Sequence, residues 1–138
     1  MRTFLFILLS ATCVLAAPVP KDRTGSTDHT QIVGRWRQTF PEGNNSIWVF
    51  NADGTAHIEH GTTTIVPAKF VLRPDAKPKE FDWTLTGANN GEFGGVYELT
   101  ENKFRFGVRA TNSKAGRPTE IVRVANNGEC YEMERIAE

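Results

Sequence analysis

The sequence predicts an all-β domain: a small antiparallel up-and-down β-barrel of about eight to nine strands, preceded by a signal peptide and a short linker. Three observations carry this. Short segments with alternating apolar and polar residues recur between turn residues, the mark of antiparallel strands with one solvated side. No ten-residue window holds an apolar stripe of period 3.6 free of Gly and Pro, which argues against helices. Finally, Trp36 near the start and Arg135 near the end both fall on the inward face. A Trp on the first strand can meet an Arg on the last only if the sheet curls until its ends are neighbours.

Residues 1–16 read as a secretory signal: Arg2, the apolar run Thr3 to Leu9, then small residues through Ala16. The run is shorter than the about 20 residues of a membrane helix, and no second one follows, so the protein is expected to be exported, periplasmic or extracellular, without a membrane span. Residues 17–30, rich in Pro, Gly, Ser, Thr and charge, read as a disordered linker that includes His29. The remainder, 31–138, suits one domain. Of sixteen Lys plus Arg, loss of Arg2 leaves fifteen against sixteen Asp plus Glu, a net charge of −1. Such a balance excludes a field that would recruit nucleic acid. Cys130 is then the sole cysteine, so the core must hold the domain without an internal disulfide.

The strands follow in order. Ile32, Gly34, Trp36, Gln38 and Phe40 share one face of the first, with Arg35, Arg37 and Thr39 on the other. Ile47 to Phe50 is apolar on both faces, Asn51-Ala52-Asp53-Gly54 is a hairpin turn, and Ala56, Ile58 and His60 oppose Thr55, His57 and Glu59. A further strand runs near Ala68 to Leu72. Phe81, Trp83 and Leu85 alternate with Asp82 and Thr84. Tyr97 and Leu99 alternate with Val96 and Glu98; Phe104, Phe106 and Val108 alternate with Lys103, Arg105 and Arg109. Thr119 to Val124 is expected as a short strand and 126–128 as a turn. Tyr131, Met133 and Arg135 close the series.

An inward Arg is costly unless paired. Stacking on the Trp36 indole offsets this by about 1–2 kcal/mol, and the remaining N–H groups can reach strand-end carbonyls. The pair would close one end of the barrel and leave the other as a mouth.

Gly34-x-Trp36 together with Arg135 resembles the lipocalin (calycin) signature. Nearly the whole mature chain is similar to a lipocalin-like family common in exported planctomycete proteins. The resemblance rests on Gly34-Arg35-Trp36, Pro78-Lys79-Glu80-Phe81-Asp82, Gly94-Gly95-Val96-Tyr97-Glu98-Leu99, Phe104-Arg105-Phe106, Arg117-Pro118-Thr119-Glu120 and Glu134-Arg135. It implies export and a lipocalin-like barrel, with Gly34, Trp36 and Arg135 as structural closure residues, and brings no established ligand or activity. The Thr-Asp-x-x-Tyr motif and C-terminal helix of ordinary lipocalins are not recognisable.

Little chemistry is written in the residues. His57-x-Glu59-His60 is the cluster nearest to a metal set, but His60 points away from the other two, so no metal is expected. Glu80 and Asp82 share a face and could serve acid–base chemistry; the plainer reading is that Asp82 pairs with Arg117 or Arg73 as a buckle between strand and loop. No nucleophile, phosphate or nucleotide motif is present, so neither catalysis nor a cofactor is expected. The inward aromatics Phe81, Trp83, Tyr97, Phe104, Phe106 and Tyr131 are the candidate ligand contacts, in a barrel expected to be mostly filled with a shallow mouth. The resulting expectation is a monomeric, non-catalytic binding module for a small hydrophobic molecule. The alternative is a solid-core structural or protein-interaction domain of the cell envelope, working through loops 87–93 and 110–118, with an enzyme or enzyme inhibitor behind both.

Overall fold

A computed structural model of the chain describes residues 27–62, 64–88, 90–122 and 130–137. It shows a helical turn, α1 (Thr27–Gln31), and eight strands: β1 (Gly34–Phe40), β2 (Ser46–Phe50), β3 (Thr55–His60), β4 (Thr64–Arg73), β5 (Glu80–Leu85), β6 (Gly91–Leu99), β7 (Lys103–Ala110) and β8 (Cys130–Arg135). Each strand pairs antiparallel with the next, and β8 pairs with β1, so the sheet is a closed up-and-down barrel. The signal peptide, residues 17–26 of the linker and the expected turn at 126–128 lie outside the described residues.

Alternation sets the core. Trp36, Trp48, Phe50, Phe70, Phe81, Trp83, Phe104 and Phe106 all point inward and are buried, and rings meet across the barrel, as Phe81 and Phe106 do at 4.8 Å between centroids. β1 and β8 meet in a register that sets Trp36 directly opposite Arg135. The Arg135 guanidinium lies 4.2 Å from the centre of the Trp36 ring. Its N–H groups donate to the carbonyls of Glu101 at 2.8 Å, Val33 at 3.0 Å and Gln31. The indole N–H of Trp36 donates to Ile32 O at 2.8 Å. The inward charge is thus matched by carbonyls at the strand ends, and this end is sealed.

Two expectations need correction. Residues 27–30 fall within the stretch that composition assigns to a linker, yet they belong to α1, which lies against the closed end. Asp28 is only 6 % exposed; it accepts hydrogen bonds from Tyr97 Oη at 2.6 Å and Lys79 Nζ at 2.8 Å. His29 is exposed, as expected. Residues 119–122 of the expected strand Thr119 to Val124 are not in a strand; 123 and 124 lie outside the described residues. The reason is topological: β7 pairs directly with β8, so the closed ring leaves no edge for a ninth strand.

Candidate functional site

Opposite the sealed end, the interior opens. β1, β2, β3, β5, β6, β7 and β8 converge on a cavity of about 170 Å³. Trp48, Trp83, Phe106 and Tyr131 wall it, and Gln38, Asn44 and His60 supply its polar groups. The walls are coupled: the Trp48 ring lies 4.9 Å from that of Trp83, 5.5 Å from Phe106 and 5.4 Å from Tyr131. Such ring contacts each add about 0.5–1.5 kcal/mol to the burial itself, so the wall is a preformed surface. Burial pushes the Tyr131 hydroxyl above its ordinary value, keeping it a neutral phenol.

The polar groups are oriented by neighbours. Gln38 is 5 % exposed, and its Oε1 accepts from the Trp48 indole N–H at 3.0 Å. An indole N–H can only donate, so this bond fixes which end of the amide is oxygen and turns Nε2 the other way. Among the described residues Gln38 Nε2 has no hydrogen-bond partner and is buried. β1 shifts register against β8 between Gln38 and Phe40, an irregularity of the kind that re-aims a side chain near a barrel rim. At the rim, Ser46 Oγ donates to Asn44 Oδ1 at 2.5 Å and lies 2.7 Å from His60 Nδ1. With the hydroxyl hydrogen on Asn44, Nδ1 is the donor to Ser46.

Of the residues expected to contact a ligand, Trp83, Phe106 and Tyr131 line the cavity. Phe81, Tyr97 and Phe104 do not. They pack the sealed half, where Phe104 lies 6.0 Å from Trp36, 5.6 Å from Phe81 and 6.1 Å from Tyr97. Sequence reasoning missed Trp48 and Gln38 as site residues. The signal for Gln38 was available: it is the polar member of an otherwise apolar inward face.

The other candidates lie on the outer wall. Asp82 is gripped by Arg73 and, at 2.6 Å, by Arg117. Arg117 also donates to Gly95 O at 2.9 Å, so it ties its loop to both β5 and β6. These bonds hold the Asp82 carboxyl below its ordinary value of 3.8 despite burial that acts the other way. Glu80 meets Arg73 at 3.2 Å. Both carboxylates are engaged by guanidinium groups away from the cavity, an arrangement that buckles the wall. His57 lies 3.2 Å from Glu59, which accepts two bonds from Arg35, while His60 faces Ser46. Among the described residues no three His, Cys, Asp or Glu side chains come together as a metal set, and no helix is long and apolar enough to cross a membrane.

Protein-family models, curated proteins and solved structures contain no match to this chain. The cavity itself is therefore the ground on which function is argued.

Proposed function

We propose that the protein is an exported, lipocalin-like, non-catalytic binding module that takes a small hydrophobic molecule at the barrel mouth. The supporting observation is the cavity of about 170 Å³ walled by Trp48, Trp83, Phe106 and Tyr131 in a barrel filled at its other end. An apolar concavity with a few convergent polar groups is the usual form of a small-molecule site. Its size favours a compact ligand over the drug-sized molecules that occupy about 300–1,000 Å³. Export is supported by Arg2 and the apolar run that follows it.

Native mass spectrometry of protein purified from its own host tests this. A small molecule that stays with the folded protein and leaves on denaturation is the expected result. Bare protein at every preparation contradicts it.

The packed half around Phe81, Phe104 and Met133, each fully buried, favours a second reading, a solid-core interaction domain of the envelope that works through its mouth loops. A specific cross-linked partner and a bare cavity in the same preparation would establish that reading instead.

A further inference from the structure

We infer that the mouth holds a single-ring aromatic molecule bearing one hydrogen-bond acceptor, with the ring against the wall of Trp48, Trp83 and Phe106 and the acceptor on Gln38 Nε2. The inference rests on the reading of the mouth as a ligand site and names the class of ligand. Two independent observations meet in it.

The first is size and lining. A cavity of about 150 Å³ with apolar walls accepts one benzene ring, and this one is about 170 Å³. Flat rings at 4.9 to 5.5 Å from one another around Trp48 offer faces and edges to a further ring. A fused polycycle or an extended chain exceeds the space.

The second is the Gln38 amide. Gln38 lines the cavity and is 95 % buried, its oxygen is committed to Trp48, and among the described residues Nε2 is a buried donor without a partner. A buried donor without a partner is destabilising, and an acceptor brought by the ligand removes that cost as it binds. An amide N–H is neutral, so it suits a carbonyl, ether or hydroxyl oxygen rather than demanding an ion. An apolar ring without an acceptor would cover the donor and leave it stranded. The site therefore discriminates by a polar contact, which separates ligands more sharply than apolar fit alone.

The test compares benzaldehyde with styrene, which have the same shape and differ in whether the substituent accepts a hydrogen bond. Binding is followed by tryptophan fluorescence or calorimetry on the intact protein. The expected result is about tenfold tighter binding of benzaldehyde, the worth of one satisfied buried donor. In Gln38→Met, which keeps the volume and removes the donor, the preference should vanish or reverse. The ligand pair on the unmodified protein decides the matter even if that variant folds poorly. Equal affinities for the two ligands would overturn the acceptor inference and leave the mouth as a ligand site. Binding of neither ring, with a larger molecule carried from the host, would also overturn the inference while the general reading stands. Binding of neither, with bare host protein, would overturn both.

Discussion

Arg135 occupies the space in which a side chain at Gly34 would begin. A Cβ on Gly34 would lie 2.9 Å from Arg135 Nη1, and the residue holds a φ of +129°. The first and last strands are therefore fitted to each other at one point: the backbone must be bare where the guanidinium crosses to stack on Trp36. Arg135→Ala removes the stacking and three carbonyl contacts, an expected loss of about 3 kcal/mol, or roughly 15 °C in Tm for a domain of this size. Arg135→Lys should recover less than half, because an ammonium is not a planar fork. Gly34→Ala should cost about 2 kcal/mol or more through the strained φ and the displaced guanidinium. Thermal denaturation by circular dichroism checks all three.

The buckle on the outer wall makes a smaller prediction. Asp82→Ala should lower stability by about 1 kcal/mol, since the ion pairs are partly solvated. Chemical denaturation of the variant and the parent measures this, and equal midpoints would show that the loop carrying Arg117 is held by other contacts.

Acid should act through two carboxyl groups. Burial of Asp28 and Asp82 acts to raise their values, but hydrogen bonds from Lys79 and Tyr97 to the first, and from Arg73 and Arg117 to the second, leave both below 3.8. Their contribution is fully present above the unfolded value of about 4 and is lost as pH falls through the lower native values. Tm should therefore hold steady above pH about 5 and fall below pH about 4. In a double Asp28→Asn, Asp82→Asn variant that acid slope should be shallower, read from a pH series of melting curves.

Asp28 and Tyr97 should behave as one unit. Burial, followed by the bond to the Asp28 carboxylate, pushes the Tyr97 hydroxyl well above its ordinary value, so it remains a donor. Tyr97→Phe should cost about 1–2 kcal/mol, and Asp28→Ala at least as much, because each leaves the other's polar group buried. The double variant should cost less than the two single losses together. Strict additivity would show that α1 is not latched to the barrel through this contact.

Gly95 is predicted to tolerate no side chain. A Cβ there would lie 1.9 Å from Gly107 O and 2.8 Å from Gly107 C, both backbone atoms of the neighbouring strand. Relief would require β6 and β7 to part. Gly95→Ala should abolish soluble expression or a cooperative melt, whereas Lys103→Ala, on an exposed position, should stay within about 0.5 kcal/mol of the parent.

How much of this was legible in the sequence depends on how local the cause is. Period-two alternation around Phe81, Trp83, Phe104 and Phe106 is local, and it places those side chains inside. The meeting of Trp36 and Arg135 follows from alternation plus ring closure, and the register bears it out. The strand expected over residues 119–122 had suitable Thr, Ile and Val residues but no free edge to join, a fact of the whole ring. The burial of Asp28 depends on Lys79 and Tyr97, 51 and 69 residues away, so composition alone reads its surroundings as a linker. For the mouth, alternation marks every inward ring alike. It cannot separate Phe104, which packs beneath Trp36, from Phe106, which borders the cavity, because depth along the barrel is set by strand stagger. Gln38 stands out only as a polar residue on an apolar face, and its orphan donor emerges once Trp48 is seen to engage the oxygen.

The most direct test of the mouth as a site for a single-ring aromatic acceptor is a nuclear magnetic resonance titration of the labelled protein with benzaldehyde, read at the Gln38 side-chain amide and the three indole N–H signals. The account predicts that Gln38, Trp48 and Trp83 shift together and saturably while Trp36, sealed under Arg135, stays still. Shifts centred on Trp36, or no saturable shift at Gln38 and Trp48, would contradict it.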